Sequence, residues 1–268
     1  MHIVIITCPD LASKRLDKLF RQLIPLVEKG QIQTISAITS TDAELYTLDK
    51  ANYSPSNWSR DIVAGWGGFL NNIICIKQRD LGSSNLDGIL SNLPEPKASF
   101  PPRKLSAAEH SITFRHRYAL DLSSKKTSQT IVLEYDACIQ SIDLLCKVID
   151  FLSTNIQVNY YIDLSDQFIP TKKHKGLAYN LDGVGFKRSG VAITRTLLAY
   201  SISPILAARL LAETKTYSLP IDMQMQVALC KLAIPGLQIA NSPFVHGSKA
   251  GICTSSIQWN LSNTGKIS

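Results

Sequence analysis

Between Ile3 and Ile38 the chain spells an apolar run, an amphipathic helix and a second apolar run, and few folds accept that order. Ile3 to Thr7 reads as a fully buried strand, and Leu16, Leu19, Phe20, Leu23 and Val27 then recur at helical spacing. Gly30 ends the helix, and Ile32 to Ile38 reads as the next strand. Two strands joined by a helix pair in parallel through a right-handed crossover, the way nucleotide-binding α/β domains begin. Pro25 lies inside the helical pattern, and its missing N–H predicts a kink or an early end.

The remainder continues the α/β alternation. Ile62, Trp66, Phe69, Leu70 and Ile73 predict a helix over 57–76. The stretch 81–105 holds Gly82, Gly88, Pro94, Pro96, Pro101 and Pro102 and reads as one long surface loop. Ser106-Ala-Ala-Glu109 has the form of a capping box and starts a helix that runs to about Leu120. A strand over 130–133, a helix over 141–152 and a strand at "YYIDL" follow, then a segment without clear pattern up to Gly190. "VAITRT" reads as a further strand, Ser203-Pro204 as a helix start, and Asp222 as the cap of one more helix. Without a linker or an internal repeat, residues 1–268 read as a single domain around a mostly parallel sheet.

Charge and composition narrow the function classes. A net charge of +7 implies an anionic partner: nucleotide phosphates, an anionic membrane face or nucleic acid. The basic residues are dispersed in short groups such as "TKKHKG" and "FKRSG", with no zinc-finger or RNA-binding aromatic signature, which argues against nucleic acid. No apolar run reaches the length of a membrane span, and the first residues have no signal-peptide form, so the expected location is the cytoplasm. The 6 cysteines form no C-x-x-C pair and read as reduced thiols.

Chemistry concentrates where the strand "TIVLE" stops. Open α/β sheets place ligands at the C-terminal ends of their strands, and Glu134 and Asp136 stand there, one residue apart. On an extended chain their side chains share a side, with Tyr135 turned away. Two such carboxylates suit a divalent cation that bridges a diphosphate; alternatively Glu134 pairs with a lysine and Asp136 begins a turn.

Several short stretches, in order, carry a resemblance: "AEHSITFRH" with Glu109 and His116, "VLEYDA" with Glu134, Asp136 and Ala137, "LAYSISPILAARLL" with Tyr200, Ile202, Ser203 and Ala207, and "LPID" with Pro220 and Asp222. The chain thereby resembles the family 25 glycosyltransferases, bacterial enzymes of lipopolysaccharide and lipooligosaccharide synthesis with collagen-modifying relatives. It departs from that pattern at Tyr135, Arg115 and Ser111, which stand in place of an aspartate, a serine and a glycine.

The resemblance implies a GT-A-like, Rossmann-type nucleotide-sugar-binding domain and an inverting transfer of sugar from a nucleotide-sugar donor to a lipid-linked or polysaccharide glycan. It implies Asp222, as general base, with His116 and Glu109 as catalytic residues. Arg15, Glu134, Asp136 and Tyr200 would contact the donor, and Asp136, Glu134 and His246 would hold Mn²⁺ or Mg²⁺. His246 and Ser248 lie in "SPFVHGSKAG", where family members close the chain near the site. The altered triplet leaves open a catalytically inactive protein that binds glycan or nucleotide, and the basic charge fits peripheral contact with the inner membrane face. Residue by residue, other roles compete: Glu109 as capping acid, His116 as a core or surface histidine, Asp222 as helix cap, and Arg115 and Arg117 as an exposed face.

Overall fold

The computed structural model describes residues 1–7, 13–49, 51–54, 105–154, 160–165, 178–181, 184–189, 192, 194, 196–248 and 250–252. The expected helix over 57–76 and all but the last residue of the expected loop 81–105 lie outside them. The opening unit forms as its pattern demands: strand β1 (His2–Ile6), helix α1 (Ser13–Glu28) and strand β2 (Thr34–Ile38), with β1 and β2 parallel and Ile3 beside Ile35. Pro25 does not end α1. Its ring is exposed, while Leu23 and Leu26 on either side are buried and hold the helix across the missing hydrogen bond. Gly30, at φ +73°, turns the chain back toward β2 in a conformation other residues avoid.

Helix α2 (Asp42–Asp49) and the short strand β3 (Asn52–Tyr53) precede helix α3 (Ala107–Ser124). The Ser106 side chain caps the Glu109 N–H and the Glu109 carboxylate returns to the Ser106 N–H, the reciprocal box read from the sequence. Then come strand β4 (Thr130–Glu134), strand β5 (Ala137–Ile139), helix α4 (Ile142–Thr154) and strand β6 (Tyr161–Asp163). The segment without pattern contains an antiparallel pair, β7 (Ala178–Leu181) and β8 (Val184–Ser189). Strand β9 (Ala199–Ile202), helix α5 (Pro204–Glu213) capped by Ser203, strand β10 (Thr216–Tyr217), helix α6 (Ile221–Lys231), strand β11 (Gly236–Ile239) and strand β12 (Phe244–His246) complete the order.

Two expectations are corrected. "VAITRT" is not a strand at its described residues: Gln226 of α6 takes the Thr194 N–H and donates to the Ala192 carbonyl, occupying groups a sheet would need. Asp222 does not cap α6; Pro220 holds that position and Asp222 lies within the first turn. The expected mostly parallel arrangement holds in the core of the sheet, which as a whole is mixed, of 8 strands in the order β2-β1-β4-β9-β6-β11-β8-β7. β2, β1, β4, β6 and β11 run one way, while β9, inserted between β4 and β6, runs the other.

Alternation along the strands builds three layers. Ile3, Ile5, Ile131 and Leu133 face one side and pack with Leu19 and Leu23 of α1 and Leu145 and Val148 of α4. Val4, Ile6, Val132 and Ile202 face the other, against Leu120 of α3, Leu206 and Leu210 of α5 and Met225 of α6. A sheet covered on both faces by helices leaves its strand ends as the open edges, and the acidic residues sit at one of them. Among the described residues, no helix is long and apolar enough to cross a membrane.

Candidate functional site

Strand β4 stops at Glu134, and Tyr135 and Asp136 form a turn before β5. The two-residue alternation that would align Glu134 with Asp136 therefore breaks, and the two carboxylates find separate partners.

Glu134 lies on the α3 face of the sheet, the face that also carries Val132 and, directly across from Val132 on β9, Tyr200. His116 reaches down from the middle of α3 between them. Its Nε2 is 3.1 Å from Glu134 Oε1 and its Nδ1 is 3.2 Å from the Tyr200 hydroxyl. An ionised Glu134 can only accept, so Nε2 carries the hydrogen and Nδ1 accepts from the Tyr200 O–H. The imidazole has no exposed surface, whereas the Glu134 side chain is 21% exposed. Glu134 thus has one oxygen fixed by a buried imidazole and faces the open edge of the sheet. Tyr200 is clamped between His116 and Tyr161, with ring centroids 5.9 and 5.4 Å away and near-parallel planes. Burial first, and the Glu134 charge second, hold the Tyr200 phenol far above its ordinary range, so it stays a hydrogen donor.

Asp136 belongs to a second group. Strand β12 pairs antiparallel with β5 and sets His246 beside Ala137, and the Gly247 N–H donates to the Asp136 carbonyl at 2.8 Å. Asp136 Oδ2 is 3.3 Å from His246 Nδ1 and 3.3 Å from Ser248 Oγ, and Ser248 Oγ is 2.8 Å from His246 Nδ1. The Ser248 hydroxyl donates to Asp136 Oδ2, and the three separations are those of a hydrogen-bonded cluster with an ion pair. Among the described residues no three His, Cys, Asp or Glu side chains gather to hold an ion. The arrangement is not a nucleophile relay, because serine and aspartate both approach Nδ1, leaving the opposite ring nitrogen to neither.

A third polar residue lies deeper. Asp163, at the end of β6, is 2% exposed and accepts from the Ser165 N–H at 2.8 Å and the Ser165 hydroxyl at 2.6 Å. Burial raises its pKa to about 7, and the two bonds from Ser165 oppose the rise. Tyr161, two residues earlier, donates to Thr194 Oγ1 at 3.3 Å.

The expected site residues therefore divide. His116, Glu134 and Tyr200 meet; Asp136 and His246 meet, with Ser248. Glu134 turns to His116 and leaves the expected metal set. Tyr200 is wholly buried and orients His116, so it is not a surface for a donor molecule. Glu109 serves the capping box, and seven residues of helix separate it from His116 by about 10 Å along the axis. Asp222 is half-buried in the first turn of α6, where its Oδ1 accepts from the Met223 N–H at 2.9 Å. Arg15 belongs to the first turn of α1, and its side chain lies outside the described residues. Neither Arg115 nor Arg117 is on an exposed face: Arg115 pairs with Asp42 of α2 at 2.9 Å, and Arg117 donates to the Leu211 carbonyl and Thr214 Oγ1 at the end of α5. Ser248 and Asp163 are the residues the motif reading passed over as ligand and buried acid. Compared with protein-family models and with curated proteins, the sequence matches none.

Proposed function

We propose that this protein is a glycosyltransferase that moves a sugar from a nucleotide-sugar donor to a glycan acceptor in surface polysaccharide or lipopolysaccharide synthesis, with inversion at the anomeric carbon. The observation that carries the reading is the division of labour at the end of β4, where neighbouring carboxylates stand in two unlike settings. Glu134, oriented by His116 and Tyr200, accepts the proton of the acceptor hydroxyl. The acceptor oxygen forms its bond to the anomeric carbon as the bond from that carbon to the diphosphate breaks, and the electron pair leaves with the diphosphate. Asp136, His246 and Ser248 would hold the Mg²⁺ or Mn²⁺ whose charge stabilises that leaving group. The same reading makes the fold a GT-A-like, Rossmann-type domain and places the protein at the cytoplasmic face of a membrane, where its basic charge suits lipid-linked acceptors.

A second reading has its own support. Tyr135 occupies the centre of the acidic triplet, and a phenol is no substitute for a carboxylate at neutral pH. A protein that binds glycan or nucleotide without transferring sugar fits that change. Thermal-shift measurements with a panel of nucleotide sugars, with and without Mn²⁺, separate both readings from neither. A donor that raises the Tm only with Mn²⁺, and loses that effect in Asp136→Asn, supports the site. Absence of any shift across the panel counts against both.

A further inference from the structure

Strand β2 closes one side of the sheet, and among the described residues β1 is its only strand partner. The register decides which of its backbone groups face outward. The His2 N–H bonds to the Gln129 carbonyl on the β4 side, and backbone groups alternate between the two sides of a strand, so Ile3 and Ile5 turn theirs to β2. Ile3 lies opposite Ile35 and Ile5 opposite Ala37, and in a parallel pair each bonds the residues that flank its opposite, here Thr34, Ser36 and Ile38. The Thr7 hydroxyl, donating to the Ile38 carbonyl from the end of β1, agrees. The N–H and C=O groups of Ile35 and Ala37 therefore point away from the sheet, and among the described residues no hydrogen bond reaches them. Thr34 to Ala37 are exposed or half-buried, whereas β1 is buried throughout. We propose that β2 pairs antiparallel with β2 of a second copy of this chain, joining the two sheets across a two-fold axis at Ser36.

The edge is complementary to itself. With Ser36 on the axis, Ile35 stands opposite Ala37 of the second copy on both sides, and each such pair exchanges both N–H···O bonds, so every outward group meets one of the opposite kind. On the α1 face each isoleucine then lies beside an alanine, large against small. On the other face serine meets serine at the closest spacing an antiparallel pair allows. A strand from another protein would have to match this edge by chance; a second copy matches it by symmetry.

No charge opposes the contact. Gly30 to Thr41 holds no charged residue and no proline, and β2 keeps an unbroken register with β1, so the lysines, prolines and bulges that hold natural edges apart are missing. A strand pair alone buries less than the roughly 1,200 Å² of a stable interface. The helices before and after β2, which cover opposite faces of the sheet, offer more apolar surface: Ile24 and Val27 of α1 and Tyr46 of α2 are 46%, 36% and 54% exposed.

The pairing uses no residue of the transfer site, and either can fail alone. Sedimentation velocity of the full chain from about 1 to 200 µM should show the mass rising from 29.5 kDa toward twice that value. By NMR hydrogen exchange, the Ile35 and Ala37 amides should be protected only at high concentration, and the Ser36 amide at every concentration. Ala37→Pro removes an outward N–H at a position where an edge strand tolerates proline, and should weaken association at least about tenfold with an unchanged circular dichroism spectrum. Ser36→Lys and Ser36→Asp set like charges across the axis, so each should be monomeric alone, and the two should associate when mixed. A monomer at every concentration would overturn the proposal and leave the edge to a strand of another protein. So would a dimer undiminished in Ala37→Pro, or Ser36→Lys and Ser36→Asp associating no better mixed than alone.

Discussion

Asp163→Asn tests the buried polar layer under the site in a way that gives a sign as well as a size. Asp163 is buried at the end of β6, and its folded pKa is about 7 against an ordinary 3.8. A carboxyl raised on folding binds its proton more tightly in the native state, so the stability it contributes is complete below about pH 4 and is lost as pH rises through about 7. About three units at roughly 1.4 kcal/mol each give about 4 kcal/mol, and water reaching the charged form reduces that figure. Asparagine keeps an oxygen for the Ser165 N–H and hydroxyl and carries no charge to desolvate. Urea unfolding of the two proteins across this pH range is the assay. Asp163→Asn should differ little from wild type near pH 4 and gain stability steadily over it, levelling above about pH 7 at a few kcal/mol. A difference that stays constant with pH, or a variant that falls behind at alkaline pH, would refute the reasoning.

Other consequences follow from contacts already described. Ser106→Ala removes one half of the capping box on α3 and should cost about 1 kcal/mol in urea unfolding. Arg117→Ala strips a buried guanidinium that ties α3 to the end of α5 and should lower stability by about 3 kcal/mol, measurable as a fall in Tm. Tyr200→Phe leaves His116 Nδ1 without its hydroxyl donor and should cost about 1 to 2 kcal/mol; the Nδ1 resonance in ¹⁵N NMR should move, and an unchanged spectrum would reject the assigned bond.

Much of the framework could be read from local chemistry. The first strand-helix-strand unit, the capping box at Ser106 and the Ser203-Pro204 start of α5 are signals carried by a few adjacent residues, and each forms as expected. Strand β9 was hidden because "AYSI" is short and runs directly into a helix start, and its antiparallel insertion depends on partners distant in the chain. The β7–β8 pair had a signal, Asp182-Gly183 between two short runs, a dipeptide that favours two-residue hairpins. At the site, extended-strand geometry misplaced Glu134 relative to Asp136 because the strand ends between them. Ser248 as a third donor required the β5–β12 pairing, which no local pattern announces. The burial of Arg115 and Arg117 was equally non-local, set by α2 on one side and α5 on the other.

The account's central claim is sugar transfer at the end of β4, and release of nucleoside diphosphate from a nucleotide-sugar panel in the presence of Mn²⁺ and a glycan acceptor tests it most directly. The account predicts release from at least one donor, abolished by chelator and reduced at least about a hundredfold in both Glu134→Gln and Asp136→Asn, each still folded by circular dichroism. No release from any donor, or release undiminished in either variant, would contradict it.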